Sequence, residues 1–409
     1  MYLVIVLAAL VGRYLLSLVA DVLNVRNIRE ELPEEFADCY DAERYRTSQR
    51  YLRETTRFGL VAETVGLAAV LLLILAGGFN AIDRMVRFPG YGPIVTGLLF
   101  VAVVVLIFRI VHLPFSIYDT FVIEEKYGFN KTTPRTFILD MVKALILAVV
   151  IGAPIFAAVL WLFGFAGRFA WLYCWAVVTV IQVLLVFLAP YVILPLFNKF
   201  EPLEDGELRT AIEGYAREQE FRMKGVYKMD GSKRSAKTNA FFTGFGKSRR
   251  IVLFDTLIEK HTVSELVAVV AHEMGHYKKN HVPWAIARAT VNMGVTFFLM
   301  SLFINNEGLI RAFRMECASI YASLVFFGFL YAPISMVISV IESAVSRRQE
   351  YAADAFAATT TGDPASMISG LKKLSVDNLS NLTPHPLKVF VEYSHPPVLD
   401  RVKALRASR

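Results

Sequence analysis

The chain has 409 residues, of which 55% are hydrophobic and only 19% are charged, and its mean hydropathy is +0.48. This composition excludes an ordinary soluble protein and is typical of an integral membrane protein. The net charge of +7 does not indicate a nucleic-acid partner, because no basic run is interleaved with aromatic residues and multi-span proteins carry excess Lys and Arg in their loops. The three cysteines are far apart, which excludes a disulfide framework.

Seven apolar segments are long enough to cross a bilayer as helices. They lie at about residues 2–23, 59–78, 93–113, 137–163, 169–196, 283–304 and 318–341. The first is expected to be retained as a span, since no good small-residue cleavage site follows it. The sequence therefore predicts a mainly α membrane protein with a membrane domain at 1–198, a polar domain at 199–282, two more spans at 283–341 and a polar C-terminal part at 342–409.

The polar domain has a mixed α/β pattern. The stretch ELRTAIEGYAREQ predicts an amphipathic helix, residues 226–230 predict a strand, and residues 238–257 predict a β-hairpin or strand pair. Lys and Arg are concentrated in the loops that follow the first and third spans. The positive-inside rule therefore predicts a cytoplasmic polar domain and C-terminus, with the N-terminus outside.

Five ionisable side chains fall inside predicted spans, where lipid exposure is costly. They are Glu63, Arg109, His112, Asp140 and Lys143. We favour the interpretation that they line a water-filled interior. Two alternatives stay open: they lie at interfaces, or the predicted span limits are wrong by a turn.

The stretch AHEMGH has the spacing of a catalytic metal site. His272 and His276 are four residues apart, which places both imidazoles on one face of a helix, where they can bind one Zn²⁺. Glu273 can reach a metal-bound water as a general base without ligating the metal. Gly275 is expected to leave room beside the metal. The alternative interpretation is a helix with an ordinary charged edge.

A catalytic zinc needs a third protein ligand. One known pattern would require glycine at position 279 and histidine at 282, where this chain has Lys279 and Val282, and His281 is out of phase with the helical pair. The stretch SRRQEYAADAFA offers Glu350 as the ligand, with Asp354 one turn later to accept the free N–H of a ligand histidine. An ordinary acidic pair on a solvated helix is an equally good interpretation of this spacing.

Four motifs occur in order: TNAFFTGFGKSRRIVLFDTL, VAHEMGHYKKNH, SRRQEYAADAFA and SHPPVLDR, with IEEKYGFNKTT upstream of them. Together with seven apolar segments, this set resembles the type I CAAX prenyl protease family of integral-membrane zinc endopeptidases. The resemblance covers nearly the whole chain. It implies seven tilted helices in a barrel around an aqueous chamber, capped by a cytoplasmic zinc-protease domain that contains a small β-sheet.

The resemblance also implies roles for individual residues. The expected ligands of one Zn²⁺ per chain are His272, His276 and Glu350, with Glu273 as the catalytic base and Asp354 supporting a ligand histidine. Asn239 and Ala240 are expected to bind the substrate backbone. His395 is expected to stabilise the oxyanion, and Arg401 to hold the site together.

The expected partners are the lipid bilayer and a peptide or protein substrate, with or without a prenyl group. A short loop at about 305–317 and the absence of a C-terminal retention signal favour a prokaryotic member, hence the cell membrane; a eukaryotic source would favour the endoplasmic reticulum. Three alternatives are weaker: a membrane quality-control zinc protease with no prenyl requirement, a transporter or channel with a metal site, and an inactive structural zinc protein. The oligomeric state stays open.

Overall fold

The computed structural model describes residues 1–29, 31–244 and 249–407. Its α-helices are α1 Tyr2–Arg26, α2 Ala42–Leu75, α3 Gly78–Arg87, α4 Pro93–Tyr118, α5 Pro134–Leu147, α6 Ala153–Phe165, α7 Ala170–Leu188, α8 Leu194–Phe197, α9 Glu207–Glu218, α10 Asp255–Lys260, α11 Val263–Lys278, α12 His281–Ser301, α13 Glu307–Ala312, α14 Ile320–Thr361, α15 Pro364–Asp377, α16 Pro386–Glu392 and α17 Val398–Ala407. Its strands are β1 Phe200–Pro202, β2 Gly225–Met229, β3 Ala240–Thr243 and β4 Arg250–Phe254. Short π-helical segments at Asp119–Glu124, Ala148–Gly152 and Ala189–Ile193 continue or join the neighbouring helices.

Six predicted spans correspond to helices that are long and apolar enough to cross a membrane within the described residues. These helical stretches are Tyr2–Arg26, Ala42–Leu75, Pro93–Glu124, Pro134–Phe165, Gly167–Phe197 and Ile320–Thr361. The remaining predicted span, 283–304, is the 21-residue helix α12, whose apolar run is interrupted by Arg288 and Asn292. It packs against α7, where Trp175 Nε1 donates to Thr290 O at 2.9 Å. The count of seven spans therefore stays a prediction.

Two helices extend well beyond the limits of the predicted spans. The second span was placed at 59–78, but α2 begins at Ala42, and α14 continues from the predicted span at 318–341 through SRRQEYAADAFA as one helix of 42 residues. At 1.5 Å per residue, α14 is about 63 Å long, roughly twice the thickness of a bilayer's hydrocarbon core. Hydropathy marks only the apolar part of such a helix, whereas its backbone hydrogen bonds continue beyond the membrane.

The three predicted strands and a further strand, β1, form one four-stranded mixed sheet in the order β1-β2-β4-β3. β2 pairs with β4 in parallel, and β3 pairs with β4 antiparallel, with Ala240 opposite Leu253. This confirms the strand expected at 226–230 and the strand pair expected at 238–257, and α9 confirms the amphipathic helix. Residues 245–248, between β3 and β4, lie outside the described residues.

One hydrophobic core joins the sheet to helical segments that come before the sixth predicted span and after the seventh in the chain. It includes Ile251 and Leu253 of β4, Met274 of α11, Ala357 of α14 and Val402 of α17. The polar segments 199–282 and 342–409 thus pack as one unit, although two predicted spans at 283–341 separate them in the chain. The predicted limits of the four domains stay a prediction.

The five ionisable side chains of the predicted spans have different surroundings. Asp140 accepts two hydrogen bonds from Arg234 of the sheet region, at 2.7 and 2.9 Å, and Lys143 donates to Leu196 O at 2.8 Å. Both side chains therefore have polar partners within the chain, where α5 meets other segments. Glu63, Arg109 and His112 are exposed, and their orientation toward a water-filled interior stays a prediction.

Candidate metal centre

The helix that carries the two histidines is stabilised at its start by a capping box. Thr262 Oγ1 accepts from Glu265 N at 3.3 Å, and Thr262 N donates to Glu265 Oε2 at 2.9 Å. Glu265 also accepts from Ser369 and Lys373 of α15. The capping box satisfies two backbone N–H groups at the start of the helix, and the contacts with α15 fix α11 against its neighbour.

α11 and α14 approach closely at Gly275. A β-carbon at this position would lie 3.1 Å from Ala353 Cα and 3.2 Å from Ala353 O. The expectation that Gly275 leaves room beside the metal was therefore wrong, because its missing side chain admits the backbone of α14. This close contact brings Glu350 and Asp354 to the histidine face of α11.

Three potential ligand groups converge between these helices. One nitrogen of His272, one of His276 and one carboxylate oxygen of Glu350 all lie within 4.8 Å of one another. His272 Nε2 is 3.2 Å from His276 Nε2, and His276 Nε2 is 3.2 Å from Glu350 Oε1. Two imidazoles and a carboxylate are the protein ligands of one common class of catalytic zinc site.

The donor set fits a cation for a second reason. The side chain of Glu350 is only 5% exposed, and its Oε2 atom is buried without a hydrogen-bond partner among the described residues. A buried carboxylate oxygen without such a partner is costly unless a charge compensates it. Arg401 Nη1, at 3.3 Å, supplies part of that charge. A metal ion between the three ligand groups would supply the rest.

Asp354 connects the histidine to a buried arginine. Its carboxylate lies 2.9 Å from His272 Nδ1 and accepts two hydrogen bonds from Arg401, at 2.7 Å from Nε and 2.5 Å from Nη2. A carboxylate on Nδ1 fixes the tautomer that leaves Nε2 free for a metal. Arg401 in turn orients Asp354 through the planar fork of its guanidinium group.

Glu273 and His395 flank the three ligand groups. Glu273 follows His272 directly and is partly buried; desolvation raises the pKa of its carboxyl, and the two neighbouring imidazoles partly oppose this rise. A general base benefits from a raised pKa near neutrality. His395 Nε2 lies 3.5 Å from Glu350 Oε1, and its side chain is 65% exposed. His395 therefore lies at the open side of the centre, where a substrate can reach it.

Sequence reasoning missed His281. Asn280 has a positive φ of 57° and turns the chain from α11 into α12, so that His281 folds back onto the metal-site helix. Its Nδ1 atom lies 3.0 Å from His276 Nδ1. His281 does not belong to the three-ligand group, but the positive φ of Asn280 places it against His276. An Asn directly before the histidine was the available signal, since Asn adopts positive φ more readily than most residues.

The predicted substrate residues lie at the edge of the sheet. Phe254 N donates to Asn239 O at 3.1 Å, so alternation along the antiparallel pair directs the backbone groups of Ala240 and Phe242 away from β4. Asn239 Oδ1 accepts from Ala240 N at 2.8 Å. The ring of Phe242 lies 6.3 Å from that of Tyr277, which follows His276. This edge of the sheet is therefore close to the end of α11 that carries the ligand histidines.

Comparison with known proteins accounts for both halves of the chain. A family model described as CAAX prenyl protease N-terminal, five membrane helices, matches residues 21–199, and the model of peptidase family M48 matches residues 202–409. The chain belongs to the CAAX prenyl protease family of M48 peptidases. The M48 match includes every residue assigned above to the metal centre and to the substrate edge.

Curated relatives share this family over nearly their whole length. CAAX prenyl protease 1 homologues from Arabidopsis thaliana and Homo sapiens are 36% and 32% identical, over 91% and 92% of this chain and 90% and 89% of theirs. CAAX prenyl protease 1 of Saccharomyces cerevisiae is 34% identical over 92% of this chain and 88% of its own. The crystal structure of S. mikatae Ste24p superposes with a TM-score of 0.93 at 32% identity, covering 99% of both chains.

Membership of this family decides between the classes of function considered from the sequence. The chain is a membrane metallopeptidase, and the transporter and inactive structural alternatives are not needed to explain its metal centre. It is a multi-pass membrane protein with a peptide or protein as its substrate. The relatives do not test the expected prokaryotic source, which stays a prediction.

Proposed function

We propose that the protein is a zinc endopeptidase that hydrolyses peptide bonds near the C-terminus of prenylated CAAX-type peptides or of other membrane-associated peptides. The observation that carries this proposal is the convergence of His272 and His276 of α11 with Glu350 of α14, a helix long and apolar enough to cross a membrane. A site built partly on α14 lies close to the membrane. A peptide whose lipid tail remains among the apolar helices could reach it.

The chemistry follows from the donor set and its neighbours. A zinc ion bound by His272, His276 and Glu350 would polarise the peptide carbonyl and lower the pKa of its water to about 7. Glu273 accepts the proton of the attacking water and passes it to the leaving amine. His395 donates a hydrogen bond to the oxyanion as it develops, and Arg401 keeps Asp354 on His272.

The sheet edge supplies the binding mode for the peptide. We assign Asn239 and the outward backbone groups of Ala240 to a substrate that binds in extended form as a further strand. Main-chain hydrogen bonds of this kind place a scissile bond without requiring a particular side chain. Sequence preference would then arise from the lipid tail and from the pockets that accept alternate side chains.

We assign the metal centre to the cytoplasmic side, because the loops that follow spans one and three hold more Lys and Arg than the loops on the opposite side. The membrane is the cell membrane for a prokaryotic source and the endoplasmic reticulum for a eukaryotic one. Glu63, Arg109 and His112 are ionisable side chains inside predicted spans, where lipid exposure is costly, and they support a water-filled chamber within the bundle.

The test uses the purified full-length protein in detergent. We expect one zinc per chain by elemental analysis, and cleavage of a farnesylated CAAX peptide that is faster than cleavage of the same peptide without farnesyl. Mass spectrometry of the products locates the cleaved bond. Equal cleavage of both peptides would instead favour the quality-control protease, and no cleavage of either would reject the proposal.

Two variants separate binding of the metal from chemistry. Glu350→Ala should lose most of the zinc, whereas Glu273→Gln should keep it and lose about 10²–10⁴ in rate, because an amide cannot accept the proton. Glu259→Gln, an exposed glutamate on α10, is the matched control and should leave both quantities unchanged. Near-normal turnover of Glu273→Gln would assign the base to another group.

A further inference from the structure

The segment 234–238, which leads directly into β3, is attached to the ends of the membrane helices. Lys131 N donates to Arg234 O and Ala236 N donates to Phe129 O, both at 3.0 Å. Arg234 also forms the bidentate ion pair with Asp140 of α5. The motif IEEKYGFNKTT, to which the catalytic mechanism gives no role, therefore supplies one side of this attachment.

Lys237 makes the contacts closest to β3. Its Nζ atom lies 2.9 Å from Glu124 Oε2 at the end of a membrane helix and 3.0 Å from Tyr51 OH on α2. Tyr51 OH also donates to Glu124. The ammonium group lies 4.6 Å from the ring centroid of Phe129, a cation–π distance. One lysine thus connects two membrane helices to the strand that follows it.

These contacts are partly shielded from water. The Glu124 side chain is 19% exposed and the Lys237 side chain is 38% exposed. On the other side of the segment, Thr238 N donates to Asn378 Oδ1 at 2.9 Å, and Asn378 Nδ2 donates to Thr238 O at 3.0 Å. The segment 234–238 is therefore held between the membrane helices and α15 at its C-terminal end.

We propose that Lys237 is a positioning residue for substrate binding. Through Glu124 and Tyr51 it fixes the segment 234–238 to the membrane helices, and so it holds the edge of β3 where the peptide adds as a strand. This inference rests on the proposed function, in that β3 is taken as the strand that binds the peptide. Lys237 itself touches neither the metal ligands nor, by this assignment, the reacting bond.

The physical reason is that strand addition depends on a preformed edge. The outward groups of Ala240 and Phe242 gain hydrogen bonds with the peptide only if β3 is already extended and correctly placed, since ordering a loose strand opposes binding. Loss of the Lys237 contacts should weaken binding of the peptide while the metal centre on α11 and α14 stays intact. The expected signature is therefore a change in KM without a comparable change in kcat.

The test compares two variants, Lys237→Met and Glu124→Gln, with the control Lys228→Met. Lys228 lies on β2, and its ion-pair partner Glu204 has a side chain that is 90% exposed, so this ion pair should contribute little. We expect about a tenfold rise in KM for the farnesylated peptide in the first two variants, with kcat within about twofold and zinc content unchanged. The effect of the double variant should be smaller than the sum of the two single effects, because both remove the Lys237–Glu124 ion pair. Lys237→Arg should restore much of the binding.

Hydrogen exchange of the β3 amides tests the inference without turnover. Exchange in residues 240–243 should be faster in Lys237→Met and Glu124→Gln than in the unmodified protein and in Lys228→Met. An unchanged KM together with unchanged exchange, or a fall in kcat with KM constant, would overturn the inference. If the unmodified protein cleaves no peptide, the proposed function fails, and the exchange measurement still decides whether Lys237 holds β3.

Discussion

Replacement of Gly275 by alanine tests whether the metal centre depends on the close approach of α11 and α14. The added β-carbon would lie 3.1 Å from Ala353 Cα and 3.1 Å from Phe356 Cδ1. Carbon atoms prefer separations of about 3.5–4.0 Å. The Phe356 ring can rotate away, but the backbone of Ala353 cannot, so the two helices must separate.

Two opposing effects set the change in the free energy of unfolding. Alanine in a helix is favoured over glycine by about 0.8–1.0 kcal/mol, whereas overpacking of a close contact costs about 1–3 kcal/mol. Crowding should win, and the net loss is up to about 2 kcal/mol. Separation by a few tenths of an ångström also moves Glu350 away from the histidines, although metal ligands tolerate only about 0.2 Å.

The assay measures thermal unfolding in detergent, with and without chelator, and zinc affinity by competition titration. Gly214→Ala is the matched control, because Gly214 lies in α9 and a β-carbon there has nothing within 4 Å. It should stabilise the protein by about 0.5–1 kcal/mol and leave zinc affinity unchanged. We expect Gly275→Ala to be less stable than Gly214→Ala and to bind zinc more weakly.

The result that would refute this reasoning is a Gly275→Ala protein as stable as Gly214→Ala with unchanged zinc affinity. It would show that α11 and α14 can move apart without disturbing the ligands. Weaker zinc binding with the stability of Gly214→Ala would mean that the helices move apart without losing packing energy, so that only the zinc affinity depends on their separation.

Three further predictions concern the surroundings of the metal and the membrane orientation. Arg401→Met should destabilise the protein by about 3–5 kcal/mol, because its buried carboxylate partner loses its compensating charge; an unchanged unfolding midpoint would count against this ion pair. His281→Phe should weaken zinc binding by about 10–100-fold, as loss of a hydrogen-bond partner of a ligand histidine usually does, and an unchanged dissociation constant would remove it from the site. In sealed vesicles, a membrane-impermeant thiol reagent should label the exposed native Cys317 from the side opposite the cytoplasm. The same reagent should label Lys233→Cys, made in a Cys317→Ser background, from the cytoplasmic side. Labelling of both cysteines from one side would show that the predicted topology is wrong.

Patterns that repeat within a few residues determined much of this protein from its sequence. Apolar runs predicted six helices that, within the part of the chain that the structure describes, are long and apolar enough to cross a membrane. Alternation predicted the strand pair, and the four-residue spacing predicted that His272 and His276 share one helix face. These features depend on backbone periods of two and 3.6 residues, which any short stretch of sequence displays.

Spacing alone left the role of Glu350 and Asp354 undecided, and a resemblance to a known family was needed to propose it. Tertiary structure brings these side chains to the histidines, because Gly275 lets α14 pack directly against α11. No local pattern encodes that approach, because it depends on the absence of a side chain at Gly275 in α11 and on the backbone of α14 at Ala353.

Local sequence patterns indicate which segments can enter a membrane and which helix can bind a metal. Tertiary structure decided what these elements meet: Asp140, expected to face a chamber, is paired with Arg234 near the sheet, and His281, out of helical phase, returns to His276 through the positive φ of Asn280. The reason is physical. Hydrophobicity and backbone periodicity act within one element, whereas the partner of a charge or an imidazole is set by the packing of elements that are distant in the chain.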